Sequence, residues 1–359
     1  MKIGIFSKIE MLGGSERRCI ELVNGIAEYT AHDAFLFGEG DIPSRVNALV
    51  NTDDVRICSN VLKDCKEKSK NLFEAMDKII IINTDAKYFT HIDYWKGKTA
   101  RHNTSINLKK ANDMTFLFNF IVSPSRHLYT LTQQGVSARI ITANSKFFDE
   151  ITKQDRYELI RNLPRTKLES PISKASVDFP KNKIGTKVSF GMHSKGLENK
   201  WNKDWEKSIK KINQRLGENR IDFHFMGMNS NVAQKINKIK NVKIYKEDTY
   251  SIRDFLNKID VFTFFPDWKR EEPWARVIGE AMMSGCPIVA TAKGGNIDQV
   301  ISGNNGFLFK STNDLLEHVV YFAEHPEAIE IMGKNSRRAA LDFDTRKIVN
   351  RLIDFVEKD

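Results

Sequence analysis

The sequence predicts an α/β protein built from two doubly wound domains, each a parallel sheet covered by helices. Its 359 residues are about twice the length of a common domain of roughly 100–200 residues. Short apolar runs alternate with helical periodicity through the first 150 residues, and the same alternation restarts near residue 188. We therefore expect an N-terminal domain at 1–150, a connection at 151–186, a C-terminal domain at 187–341 and a terminal helix at 342–359.

The first domain shows the alternation from its first residues. An apolar strand at 2–6 leads through a loop to Ser15, a suitable N-cap, after which Cys19, Leu22 and Ile26 recur at helical spacing. Further strands are expected at 35–37, 54–57, 79–82, 89–94, 120–122 and 139–142, and further helices at 62–76 and 127–134. The proline-containing stretch that follows has one short helix, at 157–161, and is typical of a linker.

The second domain repeats the pattern. Strands are expected at 188–192, 221–226, 242–245, 261–264, 287–290 and 306–309. Helices are expected at 203–216, 231–238, 252–257, 276–284, 312–325, 326–341 and 346–356. Because ligands of open α/β sheets bind at the carboxyl ends of the strands, two such domains predict a central cleft between them as the ligand site.

Composition excludes several classes of protein. The chain is 41% hydrophobic with 23 Phe and 5 Trp, too rich in core residues for a disordered protein. No run of 18 uncharged apolar residues predicts a membrane span, and charges interrupt the N-terminal apolar residues, so no secretory signal is expected. Four cysteines without a C-x-x-C pair predict neither zinc nor disulfides, and we expect a cytoplasmic protein. They are Cys19, Cys58, Cys65 and Cys286.

The net charge of +10 is unevenly distributed. Residues 1–150 hold 20 Lys and Arg against 18 Asp and Glu, which leaves 36 against 28 for the remainder. The excess therefore predicts either an anionic ligand or a solvated basic surface in the second half. The lysine series at 235–246 is read as solvated surface.

The segment from Phe264 to Gly295 carries the most chemistry. Glu272 stands at the end of a strand, where a carboxylate can accept hydrogen bonds from sugar hydroxyls. Glu280, two turns into the next helix, can hold vicinal hydroxyls such as those of a ribose. Between them lie the first N–H groups of that helix, which favour phosphate; they belong to Ala275, Arg276 and Val277. Two glutamates at this spacing alone also fit a solvated helix.

Some twenty positions of this segment resemble the signature of retaining glycosyltransferases with the GT-B fold, the glycosyl transferases group 1 (glycosyltransferase family four). The resemblance runs from Glu272-Pro273-Trp274-Ala275 through Glu280-Ala281-Met282 to Gly294-Gly295. It implies two Rossmann-like domains facing a cleft, with Glu272 contacting the donor sugar and Glu280 the ribose. Ala275 departs from the family, which usually has glycine there.

Two further pieces fit the resemblance. Gly13 and Gly14 link the first strand to the first helix, where glycine lets the backbone approach a diphosphate. Lys195 and Lys200 are five apart, like an Arg and a Lys that hold the departing diphosphate in the family. Lysine at the first position keeps the charge and loses bidentate geometry. An ordinary tight loop and a solvated loop are the simpler interpretations of these two segments.

The acceptor side is expected in the first domain. The resemblance places a histidine near the sugar and acceptor, which we assign to His91, with Asp93 as a rival for the acceptor-facing role. Aromatic and basic residues follow, suited to a phosphate backbone, a phospholipid surface or merely solvent. They include Tyr94, Trp95, Lys98 and Arg101.

The sequence thus predicts a retaining, metal-independent glycosyltransferase without a cofactor, in which Glu272, His91 and Lys200 act on the reaction. A nucleoside-diphosphate sugar is the expected donor, and a glycan or lipid-linked saccharide the favoured acceptor, with peripheral membrane contact conceivable. Three alternatives stay open. They are a phage-type DNA glycosyltransferase acting on hydroxymethylated bases, a sugar-nucleotide epimerase of the same fold, and a non-catalytic nucleic-acid-binding module.

Overall fold

A computed structural model describes residues 1–7, 9, 14–38, 41–59, 76–82, 114–118, 138–142, 165–173 and 186–357. Its contacts divide the chain into two units: Met1–Pro171 with Thr345–Asp359, and Ile172–Asp344. The last helix therefore belongs with the first unit, although the sequence left it as a separate element. Among the described residues, no helix combines the length and the apolar character needed to cross a bilayer.

The first unit is a seven-stranded parallel sheet in the order β3-β2-β1-β4-β5-β6-β7. Its strands are β1 Lys2–Ser7, β2 Asp33–Gly38, β3 Val55–Cys58, β4 Lys78–Ile82, β5 Met114–Phe118, β6 Ala138–Thr142 and β7 Arg165–Lys167. Helices α1 Gly14–Tyr29 and α2 Ser44–Asn47 connect the first three. The order confirms the doubly wound parallel sheet that the sequence predicts.

The C-terminal helix Thr345–Glu357 packs on α1 in this unit. Gly25 allows the close approach, because a Cβ there would lie 2.7 Å from Cγ2 of Val349. Ile348 and Leu352 of the same helix join the buried apolar core beneath the sheet. The sequence predicts the helix itself, at 346–356, but not the unit that it joins.

Two strands of the first unit differ from expectation. β5 lies at Met114–Phe118, whereas the sequence analysis places a strand at 120–122, outside the described residues. β7 at Arg165–Lys167 falls inside the predicted linker, because a three-residue Arg-Thr-Lys strand shows no apolar pattern. The predicted strand at 89–94 and the helices at 127–134 and 157–161 lie outside the described residues, as does nearly all of the helix at 62–76.

The second unit is a six-stranded parallel sheet in the order β10-β9-β8-β11-β12-β13. Its strands are β8 Val188–His193, β9 Ile221–Met226, β10 Val242–Tyr245, β11 Val261–Phe264, β12 Ile288–Thr291 and β13 Gly306–Phe309. Its helices are α3 Trp205–Leu216, α4 Ser230–Ile236, α5 Ile252–Asn257, α6 Arg276–Met283, α7 Asn296–Gln299, α8 Thr312–Glu324 and α9 Pro326–Ala340. Every strand and helix predicted here is confirmed to within two residues, and α7 was missed.

The strand order places β8 and β11 side by side, with Phe190 opposite Val261. From β8 the chain proceeds outward to β9 and β10, and from β11 it proceeds in the opposite direction. This is the reversal point at which open α/β sheets bind ligands. The loops that follow these two strands therefore lie together at the carboxyl edge, anchored by a buried aromatic core around Trp205 and Phe225, whose ring centroids are 4.7 Å apart.

Candidate active site

Two loops meet at the reversal point of the second sheet: the β8 loop, residues 194–204, and the β11 loop, residues 265–275. Asn202 joins them twice, since its backbone N–H donates to Phe265 O at 3.1 Å and its Nδ2 donates to Pro266 O at 2.8 Å. The Asp267 N–H donates to Asn199 O at 3.3 Å, and Trp268 Nε1 donates to Asp204 Oδ2 at 2.9 Å. The side chains that the two loops carry are therefore held in a fixed relation.

Glu272 lies at the centre of these loops, and its residue is only 8% exposed. Its Oε1 accepts a hydrogen bond from the Lys200 ammonium and another from Arg270 Nε, the latter at 2.5 Å. Burial alone would raise the pKa of this carboxyl, but the two cations more than offset that effect and hold the pKa below its usual value. Glu272 is therefore ionised at neutral pH, and its Oε2 accepts no hydrogen bond from any described residue.

Two glycines, Gly294 and Gly295, pack directly against the backbone of Glu272 and Pro273. The Gly295 N–H donates to Glu272 O at 2.8 Å. A Cβ on Gly294 would lie 2.3 Å from that same carbonyl oxygen, and one on Gly295 would lie 2.1 Å from Pro273 O. Gly294 also has a φ of +52°, in the left-handed region. The glycine pair at the end of the motif thus shapes the β11 loop, which sets where the Glu272 carboxylate stands.

The two lysines predicted to hold a diphosphate have different surroundings. Lys200 is ion-paired with Glu272; burial lowers its pKa, and the carboxylate opposes this shift. The Lys195 ammonium is half-exposed and has no ion-pair partner among the described residues, yet it is near enough to lower the pKa of Lys200 further. The β8 loop is fixed between the two lysines, since Trp201 Nε1 donates to Lys195 O at 2.9 Å.

Glu280 forms a second buried charged group in α6. Arg276, one turn earlier, donates from Nε to Glu280 Oε1 at 2.9 Å. On the other side, His193 Nε2 lies 3.7 Å from Glu280 Oε2 at the end of β8. All three residues are buried. The His193 ring is wedged edge-on between Phe255 and Phe262, with both centroid distances 5.6 Å.

The start of α6 differs in one respect from the predicted row of free N–H groups. The Ala275 N–H already donates to Gln299 Oε1 at 3.2 Å, while Gln299 Nε2 donates back to Ala275 O at 3.1 Å. The Ala275 N–H is therefore not available to a ligand. The Val277 N–H, by contrast, has no partner among the residues that the structure describes. The α6 dipole still favours an anion here.

The structure brings together most of the predicted donor-side residues. Lys195, Lys200 and Glu272 share the two loops, Ala275 is the N-cap of α6, and Arg276, Val277 and Glu280 follow along that helix. Gly14 is the first residue of α1 in the other unit. The remaining predicted residues lie outside the described part of the chain. They are Gly13, His91, Asp93, Tyr94, Trp95, Lys98 and Arg101.

Three residues of the site were missed by the sequence analysis. Arg270 was visible two positions before Glu272, but no sequence rule shows that its side chain turns back to the carboxylate. His193 looks like an ordinary strand end, and Gln299 lies in the short helix α7. Only contacts in the folded chain identify these three residues, whereas the resemblance of their segment to a family signature identified Glu272 and Glu280.

The arrangement offers a row of complementary groups for an extended polar anion. A sugar hydroxyl can donate to the free oxygen of Glu272, cations and the start of α6 can bind phosphate, and Glu280 can accept from further hydroxyls. Within the described residues, no three His, Cys, Asp or Glu side chains group as metal ligands.

Two glycine substitutions distinguish the steric effect of a side chain behind the β11 loop from the strain of a left-handed backbone. Gly294→Ala adds a left-handed alanine and a clash with Glu272 O, whereas Gly303→Ala adds only the strain, since φ is +80° and nothing lies within 4 Å. We expect Gly303→Ala to cost about 1 kcal/mol of unfolding free energy, and Gly294→Ala to cost at least about 2 kcal/mol more. Urea unfolding measures both, and equal losses would contradict the role of Gly294.

The lowered pKa of Glu272 predicts a specific acid dependence. The ionised carboxylate stabilises the fold above the ordinary glutamate pKa of about 4.3, and this contribution is lost as the pH falls through its lower folded value. Glu272→Gln should therefore be less stable than the wild type at neutral pH, and the difference should shrink in acid. The exposed Glu324→Gln is the control, for which unfolding across pH should follow the wild type. A pH-independent difference for Glu272→Gln would contradict the assignment.

Comparisons with known proteins match part of the second unit to a family and the whole chain to a fold. Residues 200–339 match the model of the family Glycosyl transferases group 1. The chain is 34% identical over 104 residues to spore coat protein SA of Bacillus subtilis, a match that covers 28% of this chain and 27% of that protein. The chain thus covers about a quarter of the length of this curated relative.

Two solved structures have the same fold over the whole chain. A glycosyltransferase from Rickettsia africae superposes with a TM-score of 0.75 at 12% identity, covering 100% of both chains. Anabaena HepE in complex with UDP superposes with a TM-score of 0.74 at 17% identity, covering 99% of both. This chain therefore has the GT-B fold, and its match to the glycosyl transferases group 1 model lies within the second unit.

Proposed function

We propose that this protein is a retaining glycosyltransferase that moves a sugar from a nucleoside-diphosphate sugar to an acceptor hydroxyl. The observation that carries the proposal is the row of groups along the β11 loop and α6. A buried, ionised Glu272 stands at one end, Glu280 lies at the other, and cations surround the first.

The sugar is assigned to Glu272. Lys200 and Arg270 use Oε1, so Oε2 remains to accept hydrogen bonds from hydroxyls of the donor sugar. A carboxylate accepts such bonds more strongly than a neutral group does. Because two cations hold its charge, Glu272 is also a weak nucleophile, and we infer that it orients the sugar rather than attacking it.

The diphosphate is assigned to Lys195, Lys200 and the Val277 N–H at the start of α6. As the bond to the sugar breaks, negative charge grows on the departing phosphate, and fixed cations and dipoles stabilise that charge without rearrangement. We infer that the acceptor hydroxyl approaches from the face that the diphosphate leaves and passes its proton to the departing phosphate oxygen. The new bond then has the same configuration as the old one.

The ribose is assigned to Glu280. Arg276 holds one carboxylate oxygen, which fixes the direction in which the other can accept from vicinal hydroxyls. The Anabaena protein of the same fold binds UDP, so uridine nucleotides are the first to test.

A saccharide, free or lipid-linked, is the favoured acceptor. Residues 1–150 carry a surplus of only two positive charges, few for a surface that must bind a nucleic-acid backbone. The DNA-glycosylating alternative rests on residues 94–101, outside the described part of the chain. Addition of an acceptor separates transfer from epimerisation, because only a transferase releases nucleoside diphosphate in response to it.

A nucleotide-sugar panel tests the donor assignment. At a hundred times its dissociation constant, a true donor should stabilise the protein by about 2.7 kcal/mol in thermal unfolding. Glu280→Gln should weaken binding of that donor and of the free nucleoside diphosphate alike, by about 1.5–3 kcal/mol in calorimetric titration. The exposed Glu324→Gln should bind both like the wild type. Unchanged affinity of Glu280→Gln for the free nucleoside diphosphate would remove the ribose assignment.

Glu272→Gln makes a different prediction from Glu280→Gln. It should leave nucleoside diphosphate binding nearly unchanged, while transfer or slow hydrolysis of the donor falls by about a hundredfold or more, because a contact to the reacting sugar is lost. Rates and binding should be measured on the same preparation. Parallel losses in both would mean that the carboxylate only maintains the loops.

A further inference from the structure

Arg270 is a third cation of the site, and the sequence analysis assigned no role to it. It follows a tight turn of the β11 loop, in which its N–H donates to Asp267 O at 2.9 Å and the Lys269 N–H donates to Asp267 Oδ1 at 2.9 Å. The same Asp267 is bonded to Asn199 in the β8 loop. The turn that positions Arg270 is thus tied to the loop that carries Lys195 and Lys200.

The Arg270 guanidinium is only partly used by the protein. Its Nε donates to Glu272 Oε1, and its two terminal nitrogens have no hydrogen-bond partner among the described residues. The side chain is 20% exposed, and neither terminal nitrogen is among the buried polar atoms without a partner. Four N–H donors of a held arginine are therefore accessible from solvent beside the site.

The cations of the site favour a bound anion. Lys200 and Arg270 share one carboxylate, that of Glu272, and Lys195 lies near enough to lower the pKa of Lys200. In contrast, the lysines of the exposed helix surfaces have their own acids, as in the pairs of Lys210 with Glu206 and Lys334 with Glu330. Like charges held together at a half-buried site repel one another unless a bound anion compensates them.

We propose that Arg270 is a third phosphate-binding residue, whose terminal nitrogens bind the diphosphate of the donor while its Nε remains on Glu272. Arginine suits this role because its planar fork binds two phosphate oxygens at once, which neither lysine can do. The proposal rests on the proposed function and deepens it: one side chain then links the carboxylate that orients the sugar to the phosphate that leaves it.

The test compares binding of UDP, uridine and inorganic pyrophosphate by calorimetric titration. Loss of a charge-assisted hydrogen bond should lower the UDP and pyrophosphate affinities of Arg270→Gln about tenfold to a hundredfold. Uridine affinity should remain within about twofold of the wild type, since no phosphate contact is involved. Arg270→Lys keeps the charge, so its affinities for UDP and pyrophosphate should lie between those of the wild type and those of Arg270→Gln. The adjacent exposed Lys269→Gln is the matched control and should bind all three probes like the wild type.

Other results would overturn the assignment. Unchanged UDP and pyrophosphate affinity in Arg270→Gln would mean that Arg270 acts only through Glu272. Equal losses of affinity for uridine and UDP would indicate a general loss of structure. If Arg270→Lys binds all three probes like the wild type and unfolds at the same midpoint, the planar guanidinium is not required for phosphate binding. If the wild type binds pyrophosphate through Arg270 but binds UDP no more tightly than pyrophosphate, the phosphate-binding role of Arg270 is supported and the nucleotide part of the proposed function fails.

Discussion

One carboxylate oxygen, Oε1 of Glu272, is the interaction on which the second unit's site depends. An ionised carboxylate out of water costs several kcal/mol unless cations and hydrogen bonds compensate it. Lys200 from the β8 loop and Arg270 from the β11 loop supply that compensation. Because Glu272 and Arg270 lie in the β11 loop and Lys200 lies in the β8 loop, separation of the two loops would remove one of the two cations from the buried carboxylate.

Backbone contacts fix the positions of the three residues that form these ion pairs. The β8 and β11 loops follow neighbouring parallel strands, and main-chain hydrogen bonds through Asn202 and Asp267 hold them together. Gly294 and Gly295 leave no room for a Cβ behind Glu272. The charged groups are therefore held by well-connected loops, as required of groups that stabilise charge without rearranging.

The second unit could be predicted from its sequence because its strands and helices are strongly periodic and separated by clear turn signals. Glu272 and Glu280 were identified through the resemblance of their segment to a family signature, because their spacing alone also fits a solvated helix. The strand Arg165–Lys167 was missed because pairing with β6, rather than any apolar pattern, makes it a strand. The Gln299 amide that takes the Ala275 N–H was missed because this contact joins elements that the sequence separates. Arg270 was missed because no pattern of residues shows that its side chain turns back to a carboxylate two positions along the same loop.

The basic excess of the chain acquires a more specific meaning from these contacts. Most described lysines on helix surfaces are exposed, and pairs such as Lys210 with Glu206 contribute little beyond solubility. Lys200 and Arg270 differ because both pair with one buried carboxylate, where water screens their charge less, and Lys195 lies near enough to act on Lys200. Net charge alone left an anionic ligand and a solvated basic surface as alternatives, whereas its local distribution favours a small ligand with closely spaced negative charges, which is the chemistry of a diphosphate.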